Sequence, residues 1–209
     1  MGMRYLSLCV ALVGSFVLAG CGGEPPASDL ATAKQVLDDA RDAGAEQFAS
    51  KQYSAAEKAY SVAEKAVNDA NAEMIKDFSA SQSLISDAKN KANDAKTAAE
   101  KEKVRQRGSA ENSLADASVV MDQARDALEA APVGKGTEGD IQQLENELSV
   151  AEAELGAAKS AVANENFSNA ETNAKAAKQK AQMIVTGVEN ATTKYEELVE
   201  KMRPWYDRI

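Results

Sequence analysis

Apolar residues recur along this chain at alternating spacings of three and four. The first run is Leu30, Ala33, Leu37, Ala40, Gly44 and Phe48. A second is Tyr53, Ala56, Tyr60, Ala63, Val67, Ala70 and Met74. The third starts Phe78, Ser81, Ile85, Ala88, Ala92, Ala95 and Ala99, loses its apolar face across Lys101 to Arg107, and resumes at Leu114, Ala117, Met121, Ala124, Leu128 and Ala131. The fourth includes Ile141, Leu144, Leu148, Ala151, Leu155, Ala158 and Val162. The fifth runs from Phe167 through Ala170, Ala174, Ala177, Ala181, Ile184 and Val188 to Met202. Each run draws a narrow apolar stripe on one helix face, as coiled-coil packing requires. The spacing predicts helices over 29–50, 53–75, 78–131, 141–164 and 167–202. At the standard rise the fifth is about 50 Å long and the third about 80 Å.

These stripes imply an all-α, elongated protein of about five helices, folded as antiparallel hairpins with alanine-rich seams. Alanine lets helix axes approach but buries little area per residue, at roughly 25 cal/mol per Å². The large residues Tyr53, Tyr60, Phe78, Phe167, Ile141, Leu144, Leu148 and Leu155 are therefore expected to supply most of the burial.

Three helix starts share the pattern aromatic-Ser-x-x-Glu/Gln, at Tyr53 to Glu57, Phe78 to Gln82 and Phe167 to Glu171. Serine followed three residues later by Glu or Gln is a capping box. Asp140 to Gln143 offers a fourth cap. The slot for an apolar staple holds Lys58, Ser83 and Thr172 instead, so each aromatic is expected to pack on a neighbouring helix.

The chain also repeats itself. Ala40 to Ala43 returns as Ala124 to Ala127, and Ser61 to Glu64 as Ser149 to Glu152. Phe78-Ser79 returns as Phe167-Ser168, and Ala88 to Ala92 as Ala177 to Ala181. The matches fall in order, at offsets of roughly 84 to 89 positions, which points to two quasi-repeated three-helix units. They are expected over 29–107 and 108–209.

The first residues follow a different logic. A start containing Arg4 leads into an apolar run from Leu6 to Leu18 that ends Leu18-Ala19-Gly20-Cys21. Basic start, apolar stretch and small-residue cleavage site make a secretory signal over 1–20, too short for a permanent membrane span. Cysteine directly after Leu-Ala-Gly makes the segment resemble a bacterial lipoprotein signal. That resemblance implies cleavage before Cys21, diacylation (palmitate among the acyl groups) of the Cys21 sulfur, and an acylated new amino terminus. Several acyl chains anchor firmly where one is marginal. Gly22 after the cysteine is similar to lipoproteins sent to the outer membrane. Residues 21–28 then form a lipidated tether, because Gly22, Gly23, Pro25 and Pro26 interrupt helix and sheet alike.

Composition narrows the chemistry. No histidine occurs, and the two cysteines are Cys9, in the signal, and Cys21. The usual general base, thiol nucleophiles and Cys/His zinc sites are therefore missing, which excludes most enzyme classes and implies no cofactor or metal. A net charge of −9 disfavours nucleic acid and anionic lipid as partners. Gly134-Lys135-Gly136-Thr137 lacks the upstream glycine of a phosphate loop and follows a helix rather than a strand, so it reads as a turn. Carboxylates such as Glu152 and Glu154 do not face each other on a helix.

Two stretches remain as candidate partner contacts. Lys101, Lys103, Arg105 and Arg107 form a basic cluster before Gly108, interleaved with Glu100, Glu102 and Glu111. It reads as a solvated bridge in a long helix or as a docking patch, with Gly108 as a kink site. Trp205 and Tyr206, after the helix stop at Pro204, are residue types favoured at interfaces or fold back on the bundle.

The segment Ala40 to Ala49, then Tyr53-Ser-Ala-Ala-Glu, then Asp77-Phe78-Ser opening an alanine-rich helix, resembles a domain of unknown function. That domain occurs in bacterial envelope lipoproteins and ahead of OmpA-like peptidoglycan-binding domains. The likeness covers roughly Leu30 to Glu100, and Ile141 to Met183 more weakly; no OmpA-like domain follows. It implies helical hairpins resembling tetratricopeptide repeats, an outer-membrane address facing the periplasm, and no catalytic residues. The expected function is a lipid-anchored, non-catalytic scaffold binding an envelope protein. The alternatives are a spacer between outer membrane and cell wall, or a holdase.

Overall fold

The computed structural model describes residues 24–134 and 136–204. Six helices occur in this part, α1 Ala27–Asp42, α2 Ala45–Phe48, α3 Ser50–Ala72, α4 Ser79–Ala130, α5 Glu138–Ala163 and α6 Phe167–Met202. No strand occurs among the described residues, so the fold is all-α. The chain divides into two compact units between Thr97 and Ala98, inside α4 and upstream of Gly108. α4 stays helical through Gly108, where a kink was expected to be allowed.

In the first unit, α1, α3 and the start of α4 share one core, formed by Ala33, Ala63, Val67, Phe78, Ile85 and Ala88. Arg41 near the end of α1 lies across the Tyr53 ring, 5.8 Å from its centroid, and 3.9 Å from Glu57, early in α3. Leu30, near the start of α1, packs in the cluster that holds Val67 and Ala70. The two helices therefore run antiparallel. In the second unit the rest of α4 packs with α5 and α6 around Met121, Leu155 and Ile184 and a run of fully buried alanines. α5 and α6 pack tightly at Gly187, where a Cβ would sit 2.6 Å from Leu144 Cδ2.

The core is mostly alanine, as the stripes required. Tyr53, Phe78, Phe167, Ile141 and Leu155 are buried, whereas Tyr60, Leu144 and Leu148 are only half-buried. Ile85, Met121 and Ile184 are more deeply buried than these three. At the offsets of the sequence matches, several buried residues fall on buried residues. Ala33, Leu37 and Ala40 correspond to Ala117, Met121 and Ala124; Tyr53, Ala63 and Val67 to Ile141, Ala151 and Leu155; Phe78, Ala88 and Ala92 to Phe167, Ala177 and Ala181.

Several local expectations are corrected. The first helix does not run on to residue 50. It stops at Asp42 because Gly44 takes a left-handed φ of 85°, and α2 follows as one separate turn. Gly44 carries the seam spacing yet ends the helix, as a C-terminal glycine does. The second stripe ends at Ala70, because α3 stops at Ala72 and leaves Met74 fully exposed.

The capping boxes are also displaced. Ser54 lies inside α3, which starts four residues earlier. At α4 the Asp77 carboxylate, not Ser79, accepts a hydrogen bond, from the Ser79 amide at 2.9 Å; this holds its pKa below the usual carboxylate range. At α6 the cap is Asn166, whose side chain accepts from the Asn169 amide. Asp140 sits within the first turn of α5 and pairs with Lys194 at 2.7 Å instead of capping. At Phe78 and Phe167 the short polar residue before the aromatic does the work assigned to the serine after it, and α3 starts without a side-chain cap.

Candidate functional site

The basic stretch is the one candidate that lies wholly among the described residues. Counting along α4 explains its placement. Ala99, Lys103, Gln106 and Ala110 continue the seam at spacings of four, three and four. Ala99 and Ala110 are fully buried, and Lys103 and Gln106 are half-buried. The seam is therefore not lost here but built from polar residues whose aliphatic stems cover it. Lys101, Arg105 and Arg107 lie off that face and are exposed.

The charged ends are met by carboxylates. Lys103 Nζ lies 2.6 Å from Glu165 Oε2, and Arg107 Nη2 lies 3.3 Å from Glu165 Oε1. The Arg107 guanidinium also covers the buried Phe167 ring, 5.6 Å from its centroid, within cation–π range. Arg105 donates two hydrogen bonds to Glu102, at 2.8 and 2.6 Å, and Gln106 adds a third at 2.9 Å. The Arg105 bonds, with the Gln106 bond, hold the Glu102 carboxyl down to about 2. Three of the four cluster cations thus engage this chain's own acids.

Glu165 is the residue that sequence reasoning missed. It has a φ of 57° in the turn between α5 and α6. The Asn166 amide bonds the Ala161 carbonyl at 2.9 Å and the Glu165 amide bonds Val162 at 3.1 Å. That pair of bonds is a Schellman cap, whose left-handed position is usually glycine. Here a glutamate takes it, and its carboxylate ties the turn to Lys103 and Arg107 of α4. The only hint in the sequence is Asn164-Glu165-Asn166, a polar break before Phe167.

Similar ion pairs join helices elsewhere in the second unit. Arg125 reaches Glu152 at 2.8 Å, Lys178 reaches Asp116 at 2.9 Å, and Lys180 reaches Glu154 at 3.3 Å. Glu152 and Glu154 of α5 are therefore fasteners to neighbouring helices. In the loop before α5, the buried Thr137 hydroxyl donates to the Gly134 carbonyl at 2.9 Å, so its oxygen serves the turn.

Among the described residues no group of three or more acidic or thiol side chains is placed to hold a metal ion. An open groove of about 510 Å³ lies between the end of α4 and α6, lined by Ala127, Ala131, Pro132, Val188 and Thr192. Its floor is mostly apolar, and Glu189, Thr193 and Glu196 border it, so it is an open seam between helices rather than an enclosed ligand pocket. Tyr53 has a buried hydroxyl with no protein hydrogen-bond partner; burial raises its pKa, and the nearby Arg41 charge opposes that rise. Cys21, Trp205 and Tyr206 lie outside the described residues. No helix among the described residues is long and apolar enough to cross a membrane.

No protein-family model, curated protein or solved structure matches this chain. The class is thus defined by the fold alone: an all-α chain of two compact helical units with ion pairs between helices.

Proposed function

We propose that this protein is a lipid-anchored, non-catalytic helical scaffold of the bacterial cell envelope. Acyl groups on Cys21 hold it to the outer membrane, its helices face the periplasm, and their outer faces bind an envelope protein. The single observation that carries the reading is Leu18-Ala19-Gly20-Cys21 closing the apolar run. Supporting it, Lys103, Arg107 and Arg125 pair with carboxylates of the α5–α6 turn and of α5. The paired burial of Ala40 with Ala124 and Phe78 with Phe167 supports reading the two units as copies of one design.

Intact mass and palmitate labelling of the protein purified from a producing bacterium test the anchor. The expected product begins at Cys21 and carries acyl mass that Cys21→Ser abolishes. A mature chain that keeps residues 1–20, or begins at Cys21 without lipid, overturns the reading. In-cell cross-linking then separates scaffold from alternatives. One or two defined proteins indicate a scaffold, cell-wall fragments a spacer, and a broad range of unfolded clients a holdase.

A further inference from the structure

The turn between α3 and α4 presents two adjacent large apolar side chains to solvent. Met74 and Ile75 stand at its tip, 103% and 85% exposed, the two most exposed large apolar side chains among the described residues. Turn geometry does not require them. The corresponding turn of the second unit, between α5 and α6, is Asn164-Glu165-Asn166 and wholly polar. Both turns lead into a buried phenylalanine, Phe78 or Phe167, that anchors the next helix. The folding task is the same; only one turn presents hydrocarbon to solvent.

Position says what could cover it. α1 and α3 are antiparallel, so the end of α3 lies beside the start of α1. Cys21 precedes α1 by six residues, which reach about 20 Å when extended. The apolar tip and the segment leading from the lipidated residue therefore share one end of the first unit. Charge decides the kind of surface. Glu73 and Asp77 flank the tip and Asp29 lies at the same end; Lys76, whose ammonium bonds the Asn71 side chain at 3.0 Å, and Lys89, 3.5 Å from Asp29, offset them only in part. This acidic rim disfavours anionic headgroups, so contact must come from hydrocarbon rather than from charge.

We propose that Met74 and Ile75 insert into the leaflet that holds the acyl chains of Cys21, giving the first unit a second membrane contact and a fixed orientation. The proposal rests on the lipid-anchor reading. Two contacts at one end restrain the tilt of α1, which a single point of attachment leaves free.

The test uses the acylated full chain on phosphatidylcholine vesicles, with an environment-sensitive fluorophore on Ile75→Cys. The reference is the same fluorophore on Gln47→Cys, exposed in α2 at the opposite end of α1. Nitroxide lipids should quench the Ile75 probe by about twofold or more and leave the Gln47 probe unchanged, with a blue shift at Ile75 alone. If the protein floats with vesicles but the Ile75 probe is neither quenched nor shifted, the tip proposal fails and the anchor stands. A tip that faces a protein partner gives that result. Equal quenching at both sites overturns the fixed orientation. Failure to float removes the anchor reading and this proposal together.

Discussion

Replacing Ala181 by leucine probes the alanine seam directly. Ala181 is fully buried in the second unit, in one cluster with Ala117, Met121, Ala124, Ala177 and Ile184. Alanine and leucine both rank near the top of helix propensity, so the exchange isolates packing from backbone preference. Close-packed interiors have no room for three extra carbons. Side chains leave their rotamers or the helices separate, at a cost of about 1–3 kcal/mol. For a unit of this size each kcal/mol lowers the unfolding midpoint by roughly 4 °C, so the expected fall is about 4–12 °C. Ala157→Leu, on the exposed face of α5, should change stability by less than about 0.5 kcal/mol.

The opposite change sharpens the argument. Ile184→Ala, at a fully buried position of the same cluster, should cost about 2–5 kcal/mol through lost burial and the cavity it leaves. Thermal and urea unfolding followed by far-ultraviolet circular dichroism measure all three. A tightly spaced seam resists both enlargement and reduction. An unchanged or raised midpoint for Ala181→Leu would mean that the axes can move apart freely, and alanine would not be what sets their distance.

Three further outcomes are expected. Gly108→Ala should stabilise by about 0.5–1 kcal/mol, because Gly108 lies within α4 with open space where a Cβ would go; a loss in chemical denaturation would point to a required kink. Glu165→Gly removes a left-handed residue strained by about 1 kcal/mol but also loses the clamp to Lys103 and Arg107. It should be nearly neutral at low salt and stabilising in high salt, where exposed pairs are screened, and a salt-independent loss would refute that balance. Glu102 has a depressed folded pKa, so its bonds to Arg105 and Gln106 stabilise fully above its ordinary value of 4.5 and fade as pH falls towards about 2. Glu102→Gln should flatten acid unfolding in that window, and an identical acid transition would refute the linkage.

The helices were legible because the spacing of three and four is itself the geometry of the seam. Their ends were less so. Gly44 fits the seam spacing, and only its φ of 85° reveals that it stops α1. Met74 is in register with Ala70 but lies beyond the last turn of α3. Ser-x-x-Glu reads alike at a helix start and inside a helix, so Ser54 looked like a cap although α3 had already begun. Asp77 and Asn166 were equally visible as short polar residues, and weighing them against the serines needed only the rule that the cap precedes the first helical turn. The interrupted third stripe was readable too. Lys103 and Gln106 hold seam positions, but reading only apolar letters hides a seam made of aliphatic stems. Glu165 gave no comparable signal, since a left-handed glutamate depends on cations contributed from a distant part of the sequence.

A surface built this way makes its exceptions informative. The fold uses alanine to bring helices together and ion pairs to fasten their flanks, so most exposed residues are polar or already engaged. Met74 and Ile75 serve neither purpose. If the fold does not need them, Ile75→Asp should leave the unfolding midpoint in solution nearly unchanged, within about 0.5 kcal/mol. Phe78, three residues further on and 4% exposed in the core of the first unit, is the contrast. Phe78→Ala should cost about 3–5 kcal/mol through lost burial and the void it creates. Denaturant unfolding of both variants measures the difference. A large loss from Ile75→Asp would show that the tip packs against the chain itself, and its exposure would then say nothing about a membrane. A neutral result leaves an apolar turn with no structural duty, beside the residues that lead from Cys21, and its use must lie outside the folded chain.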